Sequence, residues 1–274
     1  MDCGVQSAGL GFSAAERDAY ARDGYIVRTG VMRPEEIEAL RNLVEVVIAG
    51  VIARAERPGA GPQFSMADGH RMQFSSSTVI QWEWADGSRA VRLIEPFTHL
   101  HTGFERLWDD VRFTAPMRDA LSVEAVGPYT CKLNFKRPGE GSEFPWHQDY
   151  TYWYAFTPET ADEIATAILF LDDADANNGA LRILAGSHRR GPARRNLADP
   201  TRFLADPARL DLSTERVIEA PAGSLLIFPA LMVHCSTPNA SPRQRRAMLL
   251  SFQPAGRPLQ RELEWHPERV DALP

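Results

Sequence analysis

Cysteine is scarce in this chain. Cys3, Cys131 and Cys235 are an odd count among 274 residues, with no CxxC spacing. That argues against a disulfide framework or a structural zinc site and fits a reducing, cytoplasmic setting. An excess of positive charge is missing as well. Lys and Arg number 30 against 36 Asp and Glu, a formal net charge of −6, so no broad basic field is offered to nucleic acid or anionic lipid. Long apolar runs are also absent. The most apolar stretch, Leu43 to Ala53, is interrupted by Glu45 and falls far short of the roughly 18 residues that argue for a membrane span. Met1 to Gly11 has neither the basic start nor the apolar middle of a secretory signal. There is no internal repeat and no low-complexity tract. These absences leave a small molecule as the expected partner.

What is present reads as one folded domain. The hydrophobic content of 44% and charged content of 24% are those of an ordinary globular chain. Ser13-Ala-Ala-Glu16 is a capping box that opens a helix ending at Gly24, with a short strand at Tyr25-Ile-Val27 behind it. Pro34-Glu-Glu36 opens a longer helix in which Leu40, Leu43, Val44, Val47, Ile48 and Val51 recur at helical spacing. A Gly/Pro-punctuated, polar stretch from Pro58 through Thr78 reads as a loop of the kind that serves as a lid. Beyond Val123 the texture changes to short strand-like runs: Tyr129 to Phe135, Ala165 to Leu171, Ala180 to Leu184, Arg216 to Glu219, Ser224 to Phe228 and Ala247 to Phe252. We therefore expect a single domain over 1–274, mostly β with flanking helices. Its N-terminal part, about 13–120, should be helical, and its core, about 121–256, a double-sheet jelly roll.

Three features point to chemistry. In Trp146-His-Gln-Asp149, extended backbone puts His147 and Asp149 on one face, where an imidazole and a carboxylate can share a metal. Alone this is a weak signal, since a strand-end histidine hydrogen-bonded to a neighbour looks the same. His234 ends the apolar run from Ser224, placing a second imidazole at the inner end of a buried strand. Two histidines and one carboxylate on adjacent strands make the facial triad that holds iron(II) and leaves open positions for a co-substrate and oxygen. A Gly or Ala at position 149 would make room for chloride, so the carboxylate disfavours a halogenase. Finally, Arg243, Arg245 and Arg246 follow a turn and enter an apolar strand. An arginine inside a barrel needs an anion, and a guanidinium grips a carboxylate bidentately. Alternation leaves at most one of Arg245 and Arg246 facing inward, and the other arginines of the cluster are expected to be solvated turn charges.

In order and spacing these motifs resemble the phytanoyl-CoA dioxygenase family. The resemblance covers most of the chain through Arg22-Asp-Gly-Tyr-Ile-Val, Trp146-His-Gln-Asp149, Asn178-Gly-Ala-Leu-Arg-Ile-Leu-Ala-Gly-Ser-His188, and His234-Cys-Ser-Thr-Pro-Asn239 followed by Arg245. It implies a double-stranded β-helix and a dioxygenase using Fe(II), 2-oxoglutarate and O2, with His147, Asp149 and His234 on the metal. It also implies that Arg245, eleven residues after His234, grips 2-oxoglutarate, with Ser236 beside it. Likeness to the ectoine-hydroxylase-like members adds Asn134 as a contact to 2-oxoglutarate and Lys132 as a contact to substrate. Ala185 stands where the family usually has proline, which affects a turn, and His188 is implied to be structural.

Other conspicuous residues carry less. His99-Thr-His101 looks like a metal pair but reads as helix, where i and i+2 do not face each other. Trp82, Trp84, Tyr150, Tyr152, Trp153 and Tyr154 are dense enough to line a pocket or to be core. From these, Tyr150 and Trp153 are taken with Gln73 as candidate substrate contacts, and Arg71 and Arg189 are weaker ones. The expected reaction is hydroxylation of an unactivated C–H of a small, amino-acid-like intermediate of specialised metabolism, releasing succinate and CO2. Desaturation, epimerisation or cyclisation by the same cofactor is the nearest rival. A non-catalytic ligand-binding jelly roll and a zinc hydrolase are further ones.

Overall fold

The computed structural model describes residues 10–65, 71–75, 77–84 and 88–274. Cys3, the expected leader before Leu10, and positions 66–70 and 76 of the expected polar lid lie outside them. Ser13 caps α1 (Ala14–Asp23): its hydroxyl accepts from the Glu16 amide while the Glu16 carboxylate accepts from the Ser13 amide at 2.8 Å. Gly24 closes the helix in the left-handed region, φ 82°. After β1 (Ile26–Arg28), α2 (Pro34–Ala55) buries Val44, Val47, Ile48 and Val51 as anticipated from their spacing, and Ile37 besides, while Leu40 and Leu43 are half-buried.

The stretch after α2 departs from expectation. Instead of helix and a polar lid, it forms an antiparallel meander of β2 (Gln63–Ser65), β3 (Arg71–Ser75), β4 (Thr78–Trp82) and β5 (Val91–Glu95). Thr78-Val-Ile-Gln-Trp82 and Val91-Arg-Leu-Ile-Glu95 are rich in β-branched and aromatic residues, and that composition outweighed the polar loops around them. Helical structure resumes in α3 (Thr102–Glu105) and α4 (Val111–Leu121). His99 lies in a 3-10 turn, while His101 is extended and accepts from the Gly103 amide. His99 pairs instead with the Ser77 hydroxyl at 2.6 Å.

The core comprises β6 (Val126–Lys136), β7 (Phe144–His147), the short helix α5 (Asp149–Tyr154), β8 (Ala165–Phe170), β9 (Leu181–Leu184), β10 (Glu215–Val217), β11 (Leu225–Pro229), β12 (His234–Ser236) and β13 (Arg245–Pro254). A nine-stranded antiparallel sheet runs β1-β11-β8-β13-β6-β5-β4-β3-β2, and a four-stranded sheet runs β10-β9-β12-β7. Together they make the jelly roll expected from the sequence. The run ending in His234 is not one strand. Pro229, which has no amide hydrogen to donate, closes β11, and the chain turns through Met232 before His234 begins β12 in the other sheet.

Alternation gives the large sheet two unlike faces. Outward, Cys131, Leu133, Phe135, Met248 and Leu250 pack with α2 and α4 in the main apolar cluster. Inward, Ile168, Phe170, Leu226, Phe228 and Ala247 meet Leu181 and Ile183 of the small sheet. On β6 the inward positions are Thr130, Lys132, Asn134 and Lys136, a polar stripe beside the apolar positions. No helix of the described residues is long and apolar enough to cross a membrane.

Candidate metal centre

His147 ends β7, Gln148 stays extended (φ −119°, ψ 135°), and Asp149 begins α5. The period of two therefore holds locally, although Asp149 is helical. β12 pairs with β7 so that His234 lies directly opposite His147, and the two rings are 4.2 Å apart between centroids. One ligand atom from each of His147, Asp149 and His234 lies within 4.8 Å of the others, the one such three-residue group among the described residues. Each imidazole has its Nδ1 committed to a backbone oxygen, His147 to Pro145 at 2.7 Å and His234 to Met232 at 3.0 Å. A carbonyl can only accept, so both Nδ1 atoms carry the proton and both Nε2 lone pairs are free for a metal.

The electrostatics agree. Burial, reinforced by His234, pushes His147 down to about 3, and burial also lowers His234, so both rings are neutral and able to ligate near neutral pH. Burial alone would raise Asp149, but the charges facing it, the Lys132 ammonium first, outweigh it and keep the carboxyl below its usual range. Gln148, between the ligands, is 2% exposed. It donates to Gly191 O and Leu231 O and accepts from the Ala193 amide, pinning the turn that presents both ligands. Ser187 does the same for the third: its hydroxyl accepts from the Val233 amide and donates to Met232 sulfur, just before His234. His188 packs against Gly24 at the end of α1.

Arg245 and Arg246 take opposite faces, as alternation requires. Arg245 is 5% exposed on the inner face. It gives Nη2 to Gly179 O at 2.7 Å, while Nε has no partner, and burial pushes it down to about 10. Gly179 has φ 80°, and a Cβ there would lie 2.5 Å from Thr237 O, so this close approach needs glycine. Asn134 Oδ1 is likewise buried without a partner, and Ser236 is 4% exposed on β12. Two imidazoles, a carboxylate, an under-satisfied guanidinium and an orphaned amide oxygen fit a divalent metal with a chelating dianion beside it. Arg243 is the exposed turn charge expected, but Arg246 is not. Arg246 is buried and paired with Asp172 and Glu45, and Arg243 pairs with Asp175.

The substrate contacts expected from sequence divide. Lys132 faces the centre, 3.8 Å from Asp149 Oδ1, but it is shared with Glu95 at 4.0 Å. Trp153, fully buried against Tyr129, and Tyr150 belong to an apolar cluster behind α5. Tyr152, one helical turn from Asp149, is the α5 aromatic that reaches Lys132, whose Nζ is 5.2 Å from its ring centroid. Gln73 is excluded by register: it aligns with Ile80, and Ile80 through Ile94 with Leu133, on the outward face. Its amide donates to Ala55 O at 2.8 Å and accepts from Gln63. Arg71 donates to the carbonyls of Glu83 and Ser88, and Arg189 is exposed. Glu95 sits in no motif, and nothing in the sequence separates Tyr152 from the aromatics around it; only strand pairing and helix phase bring the two to Lys132.

A family model described as phytanoyl-CoA dioxygenase (PhyH) matches residues 20–247. The ectoine dioxygenase of Halomonas elongata is 28% identical over 251 residues, covering 85% of this chain and 67% of the relative. The L-proline trans-4-hydroxylase of Streptomyces griseoviridis is 24% identical over 253 residues, covering 85% and 83%. Among solved structures, EctD from S. alaskensis with 2-oxoglutarate and 5-hydroxyectoine superposes with a TM-score of 0.67 at 22% identity, covering 90% of this chain and 78% of that one.

Proposed function

Because this chain belongs to the phytanoyl-CoA dioxygenase family, we propose that it is an Fe(II)- and 2-oxoglutarate-dependent dioxygenase in which His147, Asp149 and His234 hold the metal. The observation that carries this reading is the triad of half-buried His147 and buried Asp149 and His234 with both Nδ1 atoms tied back to the main chain, on a barrel that also buries an unsatisfied Arg245. Bound iron(II), 2-oxoglutarate and dioxygen together supply the oxidising power to functionalise an unactivated C–H, with release of succinate and CO2. The chain's own residues bind, orient and exclude water. The His147 and His234 Nε2 atoms and the Asp149 carboxylate would hold the metal. Arg245, through its free Nε, and the Ser236 hydroxyl take the distal carboxylate of 2-oxoglutarate, and Asn134 contacts the same molecule. Phe228, 4.9 Å from His234 between ring centroids, and Ile183 keep water from that side.

The reaction is hydroxylation of a small, amino-acid-like molecule. Support comes from Lys132, whose ammonium lies beside Asp149, and from relatives named for ectoine and L-proline. Incubation with iron(II), 2-oxoglutarate and such candidates should form succinate and a product heavier by one oxygen. Succinate formation by a His147→Ala chain at the unaltered rate would end the assignment of the triad, and a product lacking the added oxygen would end hydroxylation.

A further inference from the structure

We infer that Glu95 is a specificity-determining residue that accepts a cationic group of the substrate while Lys132 takes a neighbouring anionic group, so that the site selects a zwitterion such as an α-amino acid. This rests on the reading of His147, Asp149 and His234 as the metal face. Glu95 ends β5, whose register sets Leu93 against Asn134 and Ile94 against Leu133, bringing Glu95 beside Lys132 on the inward face. Their side chains are 15% and 18% exposed.

Both groups have bonding capacity left over. Lys132 Nζ is 4.0 Å from Glu95 Oε2 and 3.8 Å from Asp149 Oδ1, too far for a hydrogen bond in either case. Beyond these it has the Tyr152 ring, and no described residue accepts a hydrogen bond from it. A largely buried ammonium with three donors uncommitted is costly unless something arrives to accept them. Glu95 uses Oε1 on the Thr130 hydroxyl at 2.8 Å, while Oε2 has only the loose contact to Lys132. The Tyr129 hydroxyl, raised by burial and by the Glu95 carboxylate, is also buried without a partner.

The charge pattern selects the ligand. The pair is neutral overall, so a lone anion drawn to Lys132 meets Glu95, and a lone cation drawn to Glu95 meets Lys132. A molecule with both signs on adjacent atoms satisfies each by lying antiparallel to the pair. An α-amino acid has this form, with ammonium and carboxylate on one carbon. Position separates this subsite from the one for 2-oxoglutarate. Arg245 aligns with Lys136 and Leu249 with Lys132, so the pair lies four residues, or about 13 Å at roughly 3.3 Å per residue, along the strand from Arg245.

Binding can be tested without turnover, by calorimetric titration of the full chain loaded with manganese(II) and 2-oxoglutarate. The probes are the twenty standard L-amino acids and ectoine, followed by the N-acetyl and amide forms of the amino acids that bind. At least one zwitterion should bind, and each blocked form should bind about 10- to 100-fold more weakly. In Glu95→Gln the penalty for N-acetylation should disappear while that for amidation remains; in Lys132→Met the pattern should reverse. The inference is overturned if no zwitterion binds, if N-acetylation costs nothing in the unaltered chain, or if Glu95→Gln keeps the full penalty. The blocked-form comparison on the unaltered chain decides the matter even if a variant fails to fold. A chain that forms succinate but fails here loses only this inference, and one that binds zwitterions but forms no succinate loses the oxygenase reading instead.

Discussion

Two adjacent arginines on β13 are equally buried, at 5% each, yet the two faces of the sheet treat them differently. On the outer face Arg246 donates to both oxygens of Asp172 and to Glu45, at 2.8 to 2.9 Å. On the inner face Arg245 has one carbonyl for five donors. The same contrast runs along β6: Leu133 and Phe135 pack outward into the main cluster, while Asn134 and Lys132 point inward with bonding capacity unspent. Around Arg246 the outer face is saturated and serves stability. The inner face carries the cost of unsatisfied buried polar groups, a cost a ligand can remove.

That contrast can be broken by substitution. The largest effect is expected for Asp149→Ala, which removes one of three ligands: metal binding and succinate formation should be lost, with the fold retained by circular dichroism. Next is Arg246→Ala, which removes the two guanidinium hydrogen bonds to Asp172 and leaves that carboxylate only Arg41 and the residue 246 amide; it should cost about 2 kcal/mol in denaturant unfolding, with little change in the 2-oxoglutarate concentration needed. Arg245→Ala should invert this pattern. It should raise the 2-oxoglutarate requirement about 100-fold while leaving the unfolding midpoint unchanged or higher, because an under-satisfied buried charge is removed. Equal stability losses in the two arginine variants would erase the distinction between the faces.

The smallest effect belongs to a surface element remote from both faces. Arg28 and the helix cap hold Glu16 down to about 2 from an ordinary 4.5. A carboxyl depressed in the folded state adds stability that is fully present above its unfolded value and lost as pH falls toward the folded one. Glu16→Gln should therefore cost about 1 kcal/mol at pH 7, and the gap to the unaltered chain should close between pH 4.5 and about 2.

Legibility in the sequence followed the range of the interaction. The Ser13–Glu16 cap, the apolar face of α2 and most core strands are local signals and appear nearly where they were read. His147 and Asp149 were legible together because two residues of extended chain place them on one side. The meander of β2 to β5 was hidden among polar turns, although Thr78 to Trp82 and Val91 to Glu95 carried strand composition. Gln73 was misplaced because its face is set by a chain of pairings through Ile80 and Ile94 to Leu133. Aromatic density does not distinguish Tyr152, whose ring reaches Lys132, from Tyr150 and Trp153, which pack in the cluster behind α5.

By itself the sequence determined the kinds of groups present and their order: two histidines and a carboxylate at the required spacings, and alternation forcing Arg245 and Arg246 apart. Only the tertiary structure decided which groups keep unspent bonding capacity. Partnership is a property of neighbours distant in the chain, Asp172 for Arg246, Gly179 for Arg245 and Glu95 for Lys132, and it forms only when β13 pairs with β8, β5 pairs with β6, and Gly179 is brought over Arg245.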